Sequence, residues 1–165
     1  MKHTKTEQVN RVFDYAFDKY DLMNDLMSLG IHRLWKRRLL DWMNPNEDDC
    51  LVDVASGTGD IAKSYLKRIQ FKGEVTCVEP NNNMLVRGKT KLKNFKEIKW
   101  VRSMAEKLPL ESDTFDFYSV SFGIRNFSNI NQSLSEARRV LKSGGRIMCL
   151  EFSKVENEAL DKIYK

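Results

Sequence analysis

The sequence predicts an α/β fold: a mainly parallel sheet with helices on both faces, preceded by N-terminal helices. Three observations carry this. From residue 50 onward, short apolar runs alternate with amphipathic stretches of helical period. A glycine turn, "SGTGD" (56–60), separates the first run from the first such stretch. The 165 residues, 41% hydrophobic and 31% charged, suit one globular domain rather than a disordered or fibrous chain.

In the N-terminal part, Val9, Val12, Phe13, Ala16, Phe17 and Tyr20 recur at the spacing of one helical face. Ile31, Leu34, Trp35, Leu39 and Trp42 mark a second amphipathic helix that also carries Arg33, Lys36, Arg37 and Arg38. The polar "NPNEDD" (44–49) ends it, because proline and clustered Asn/Asp favour a turn. "CLVDV" (50–54) reads as a short buried strand and "GDIAKSYLKRIQ" (59–70) as a helix. "EVTCVE" (74–79) is a second strand and "NNMLVRGKTKLK" (82–93) a second helix of this alternating part. "IKWVR" (98–102) is a third strand and "TFDFYSVSF" (114–122) a fourth. Ile130, Leu134, Ala137 and Leu141 form a helical stripe, "KSGG" (142–145) a glycine turn, and "RIMCLEF" (146–152) a fifth strand. Crossovers between parallel strands are right-handed, so helices come to lie on both faces of the sheet. The last residues, "SKVENEALDKIYK", resemble the start of another helix.

The net charge of +5 is a modest basic excess. Alone it favours nucleic acid and anionic membrane surfaces about equally weakly. Cys50, Cys77 and Cys149 are isolated in or beside apolar segments, with no C-x-x-C or Cys/His cluster. They read as small buried hydrophobes in a reducing compartment, and no metal is expected. No signal-like segment opens the chain and no apolar run approaches ~20 residues, so a cytoplasmic location is expected, with any membrane contact peripheral.

In open α/β sheets, ligands bind beyond the carboxyl ends of the strands, and the turn after the first strand lies there. Gly57-x-Gly59-x-x-Ala62 satisfies the dinucleotide fingerprint, and Glu79 stands about 20 residues on, where a ribose-binding carboxylate is expected. A nicotinamide or flavin dinucleotide is one reading. Asp53 and Asp60 flank the turn, however, and two carboxylates repel a diphosphate. S-adenosylmethionine carries a sulfonium and an ammonium and no phosphate, so charge favours it. The simplest alternative is a tight β–α turn with Asp60 as a helix-start carboxylate.

"DVASGTGD" (53–60) resembles motif I of class I S-adenosylmethionine-dependent methyltransferases, in the form found in the ubiquinone/menaquinone biosynthesis C-methyltransferases. Val12 to Arg37, "AEKLPLESDTFDFYSVSFGIRN" (105–126) and "ARRVLKSGGRIMCLEFSK" (137–154) are similar to that family in the same order. The resemblance implies a Rossmann-like class I methyltransferase fold. It divides 1–165, a single domain, into an N-terminal lid or substrate region (1–43), a cofactor-binding core (50–152) and the start of a C-terminal helix (153–165). Family members usually continue beyond "LEFSK" with two more strands, so the chain is expected to lack the family's C-terminal part.

By resemblance, Asp53, Gly57, Thr58 and Gly59 would line the methionine end of the cofactor and Glu79, followed by Pro80, its ribose. Met104 and Ala105 would border the adenine, and Ser121 would end the fourth strand beside it. Met104 departs from the family's usual Asn or Asp, and a thioether accepts the adenine amine proton poorly. The implied reaction is C-methylation of a polyprenylated quinol, either demethylmenaquinol or a 2-methoxy-6-polyprenyl-1,4-benzoquinol. Deprotonating a ring hydroxyl makes the adjacent carbon nucleophilic, so a phenolate stabiliser and a proton acceptor are needed. Arg125 and Asn126, just past the fourth strand, are catalytic candidates: Arg125 could stabilise the phenolate or hold a water that takes the proton, with a loop-fixing salt bridge as its plainer role. His32 is a candidate base. The basic second helix would suit a membrane surface delivering the prenyl tail. A homo-oligomer or quinone-biosynthesis complex is compatible. The opposing reading is a catalytically impaired homologue acting as a cofactor-binding or assembly subunit. Nucleic acid is not an expected partner, since no stacking platform accompanies the basic residues.

Overall fold

The computed structural model describes residues 31–151. The first helical face (9–20) and the C-terminal segment lie outside them. The elements are α1 (Ile31–Met43), β1 (Leu51–Val54), α2 (Asp60–Arg68), β2 (Val75–Val78), α3 (Asn82–Lys91), β3 (Ile98–Val101), β4 (Phe115–Ser121), a 3-10 turn (Ile124–Asn126), α4 (Ile130–Val140) and β5 (Leu141–Leu150). All four strand pairings are parallel, in the order β3-β2-β1-β4-β5. This is the doubly wound, Rossmann-like order, and it reverses between β1 and β4.

The pleat of β1 sorts the core into two layers. Leu51 faces a cluster built with Cys77 and Phe117 from the sheet, Leu39, Leu40 and Met43 of α1, and Ile61, Tyr65 and Leu66 of α2. Val52 and Val54 face the other way, with Val78, Tyr118 and Val120, against Ala137 and Val140 of α4 and the loop residues Ala105 and Leu108. β1 and β2 are buried along their whole length, as strands covered on both faces must be. Side-chain caps fix two helix starts. Asn81 accepts the backbone N–H groups of Asn83 and Met84 before α3, and Asn129 accepts that of Gln132 before α4.

Several expectations are corrected. In α1 the buried residues are His32, Leu39, Leu40 and Met43, whereas Ile31, Leu34 and Trp42 are exposed. In α4 Ser133, Ala137 and Val140 are buried, and Ile130 and Leu134 are exposed, because small side chains let the helix sit close to the sheet. "KSGG" is not a turn before β5 but part of it. Phe115 pairs with Leu141 and Phe117 with Arg146, so one residue of β4, Asp116, lies opposite four of β5, 142–145, in a bulge where Gly144 takes φ 82°. Of the cysteines only Cys77 is buried, and Cys149 is exposed. Among the described residues no helix is long and apolar enough to cross a membrane.

Candidate functional site

The chain leaves β1 through a loop with three left-handed residues: Ala55 (φ 53°), Gly57 (φ 56°) and Gly59 (φ 81°). Gly59 caps α2 without a side-chain hydrogen bond, and a Cβ there would lie 2.8 Å from Leu92 Cδ1 and 3.0 Å from Trp100. Both conformation and space therefore demand glycine. Across the crevice, Phe122 follows β4, also at positive φ (57°), and a Cβ on Gly123 would meet the Ala55 methyl at 2.7 Å. Non-glycine residues held at positive φ on both lips of a crevice are strained, and strain of this kind gathers at binding sites.

The crevice is a cavity of about 50 Å³ whose lining includes Lys36, Asp53, Gly57, Thr58, Ser121 and Phe122. Ligand pockets commonly measure ~300–1,000 Å³, so this volume fits one polar end of a ligand. Asp53 is buried, and its Oδ1 accepts the Ser119 hydroxyl at 2.6 Å across the β1–β4 register. Its Oδ2 and the Ser121 Oγ are buried with no hydrogen-bond partner among the described residues. Burial raises the Asp53 pKa from 3.8 to about 7, against the lowering effect of the Ser119 bond.

Asp60 is not the unpaired negative charge that the sequence suggests. Its Oδ2 binds Lys36 Nζ of α1 at 3.1 Å and its Oδ1 binds Lys91 Nζ of α3 at 2.8 Å. Lys91 also donates to Thr58 Oγ1 at 3.1 Å. Burial pushes the Asp60 carboxyl up, but the two lysines outweigh it and bring the pKa down to about 2. With one flanking carboxylate paired twice and the other only partly ionised near neutrality, the repulsion of a diphosphate is weaker than expected. Any charge preference at this turn therefore rests mainly on Asp53.

Glu79 has a second task that the sequence did not reveal. Its Oε2 accepts the Gly57 N–H at 2.8 Å and its Oε1 accepts the Asn81 N–H at 2.9 Å, so it clasps the glycine turn to the start of α3. Burial raises its pKa, and the two backbone bonds oppose that rise. A carboxylate offers about four lone-pair sites, so both oxygens retain capacity for further donors. Pro80 follows at the strand end, where its carbonyl accepts from Arg102 Nε at 3.4 Å. Met104 is 37% exposed, and Ala105 is buried in the second core layer.

The catalytic candidates fall in two places. Arg125 and Asn126 lie in the 3-10 turn just past Gly123, near the crevice mouth. Arg125 pairs with Glu151 at 2.6 Å, and the Asn126 N–H bonds the Gly123 carbonyl at 3.0 Å. His32 is buried in α1 and lines a separate cavity between α1 and α2. Lys36, Lys91, Ala55 and Phe122 were missed by sequence reasoning. Lys36 and Lys91 reach Asp60 across 24 and 31 residues of chain, a distance no local pattern reports. Trp35 packs on Phe122 with ring centroids 6.3 Å apart, which brings α1 over the crevice.

A family model described as the ubiE/COQ5 methyltransferase family matches residues 1–165. The chain is 45% identical over 163 residues to the ubiquinone/menaquinone biosynthesis C-methyltransferase UbiE of Roseobacter denitrificans, covering 97% of this chain and 65% of that protein. It is 46% identical over 167 residues to the UbiE of Rickettsia bellii, covering 98% and 67% respectively. The chain thus spans about two thirds of the length of these relatives. Among solved structures, a SAM dependent methyltransferase from Aquifex aeolicus superposes with TM-score 0.68 at 23% identity, over 74% of this chain and 66% of the other. The [4+2]-cyclase SpnF superposes with TM-score 0.77 at 17% identity, over 95% of this chain and 64% of the other. These structural likenesses speak to the fold alone, since one backbone hosts many chemistries.

Proposed function

Because the chain belongs to the ubiE/COQ5 methyltransferase family, we propose that it binds S-adenosylmethionine at the β1–β4 crevice and methylates a ring carbon of a polyprenylated quinol in ubiquinone or menaquinone biosynthesis. The observation that carries this reading is the pair of buried, unpartnered oxygens, Asp53 Oδ2 and Ser121 Oγ, lining one small cavity beside the glycine turn. A buried acceptor without a donor is costly, and the ammonium end of the cofactor supplies donors and positive charge together.

The residues present fit such a donor. Gly57 gives close backbone approach, and Glu79 keeps acceptor capacity for ribose hydroxyls while holding the turn in shape. Pro80, Met104 and Ala105 would border the nucleoside, Met104 by packing rather than by hydrogen bonding. When bound, S-adenosylmethionine supplies an electrophilic sulfonium methyl group. The chain's own contribution is to hold the quinol carbon in line with it and to exclude water. Trp35 and Phe122 would provide part of that cover. Arg125, exchanging Glu151 for a quinol oxygen, would stabilise the phenolate, with Asn126 as a further donor at the same mouth. His32 stands apart, in the α1–α2 cavity, so its role as the base would require the quinol to reach that side. Membrane contact, through the exposed Leu34 and Trp42 beside Arg38, fits a prenylated substrate.

The test is calorimetric titration with S-adenosylmethionine, followed by a labelled methyl-transfer assay with demethylmenaquinol and with the benzoquinol. Saturable binding and transfer to either ring support the proposal. Binding without transfer, together with a stable complex with a partner chain, would favour the cofactor-binding or assembly subunit. No binding by a folded chain would remove the enzyme reading.

A further inference from the structure

A second cavity, of about 630 Å³, lies between α1 and α2 and is distinct in character from the glycine-turn crevice. Seven cationic side chains and a single acid, Asp60, line it, together with the buried His32. The lining therefore carries a formal charge of about +6, more than the +5 of the entire chain, so the remaining residues sum to about −1. The molecule's basic excess is concentrated at one place.

Much of that charge is uncompensated. Asp60 holds Lys36 and Lys91, and Asp41 holds Arg68 at 2.7 Å. Arg37, Lys63 and Lys67 form no ion pair with any described residue. Lys63 and Lys67 are four residues apart on α2, the spacing at which like charges repel along a helix, and Arg37 lines the same cavity from α1. Two helices that pack through Leu39, Leu40 and Tyr65 thus bring like charges together across one concavity. Such an arrangement is relieved by an anion that accepts several charge-assisted hydrogen bonds at once.

We propose that this cavity binds a phosphate-bearing anion, either a soluble diphosphate or the phosphate of an acidic lipid headgroup. Lys63 and Lys67 supply one side of the site and Arg37 the other. The two cavities share Lys36 and Asp60 as a common wall, but binding here is measured without the methyl donor, so its failure and that of the methyltransferase reading are separate results.

The experiment titrates the full chain with inorganic pyrophosphate by calorimetry, and in parallel sediments it with phosphatidylglycerol or phosphatidylcholine vesicles. One-to-one saturable pyrophosphate binding is expected, weakened about tenfold or more in Lys63→Gln/Lys67→Gln and retained in Lys63→Arg/Lys67→Arg. The charge-matched control Lys96→Gln/Lys107→Gln removes two exposed cations elsewhere and should bind as the parent does. Circular dichroism establishes that each variant is folded. Selective sedimentation with phosphatidylglycerol that pyrophosphate reverses identifies a headgroup. Pyrophosphate binding without sedimentation identifies a soluble phosphate compound. Absence of saturable pyrophosphate binding, or equal weakening in the control variant, overturns the proposal.

Discussion

Replacing Asp53 by asparagine separates the energetic role of this carboxyl from its binding role. In the folded chain its pKa is about 7 rather than 3.8, because burial disfavours the charged form. A carboxyl moved from 3.8 to about 7 corresponds to ~4 kcal/mol as an upper bound. A raised carboxyl pKa means that the folded state holds the proton more tightly than the unfolded one. Stability from this group is therefore greatest at low pH, falls as pH rises from about 4 to about 7, and levels off above that. The amide of Asp53→Asn cannot titrate, so urea unfolding by circular dichroism at half-unit pH steps should show the parent losing up to ~4 kcal/mol relative to the variant across that interval. The amide also introduces a buried N–H₂ where Oδ2 had no partner, which costs ~1–3 kcal/mol at every pH and moves the intercept rather than the slope. If Asp53 receives the ammonium of the methyl donor, ligand affinity follows the ionised fraction. It should tighten between pH 6 and 8 in the parent and be weak and pH-independent in the variant. Parallel stability curves for the two proteins would refute the assignment of the titrating group.

Glu79→Gln should cost ~1.5–3 kcal/mol in denaturant unfolding, because a side-chain N–H₂ then opposes a backbone N–H at Gly57 or Asn81, and donor binding should weaken with it. Gly59→Ala should destabilise by ~2–5 kcal/mol in the same assay, the sum of a left-handed penalty and overpacking against Leu92 and Trp100. Tyr65→Phe leaves the Asp49 carbonyl, bonded at 2.9 Å, without its donor, and thermal unfolding should report a loss of ~1–2 kcal/mol. Arg125→Gln breaks a half-exposed pair with Glu151 and should change stability by no more than ~1 kcal/mol while suppressing methyl transfer; unchanged kcat would remove it from the reaction.

The strands were legible because each is a short apolar run between turn residues, and their parallel pairing followed from alternation with helices. The helix faces were not. In α1, Ile31, Leu34 and Trp42 of the expected stripe stay exposed, whereas its Leu39 is buried with His32, Leu40 and Met43 and its Trp35 packs on Phe122. Periodicity finds a face, but packing chooses which face is buried. In α4 the same choice went to Ser133 and Ala137, whose small size permits close approach and leaves no hydrophobic signal. At the site, the glycine turn and Glu79 were readable from spacing. The double pairing of Asp60 was not, because it joins three elements through long side chains. Of the two aspartates that favour a cationic donor, the fold pairs Asp60 with lysines and leaves Asp53 with an open oxygen.

The contact between Ala55 and Gly123 bears on how sequences can drift on this backbone. Only one methyl group fits between the two loops, and at present position 55 carries it in a conformation that favours glycine. A side chain at 123 becomes possible once 55 gives up its own, and Gly123 has an ordinary φ of −112° that any residue accepts. The double exchange Ala55→Gly with Gly123→Ala should then be tolerated where Gly123→Ala alone is not. The two positions, 68 residues apart, are therefore expected to change together across the crevice, passing between the two solutions through the looser state with glycine at both.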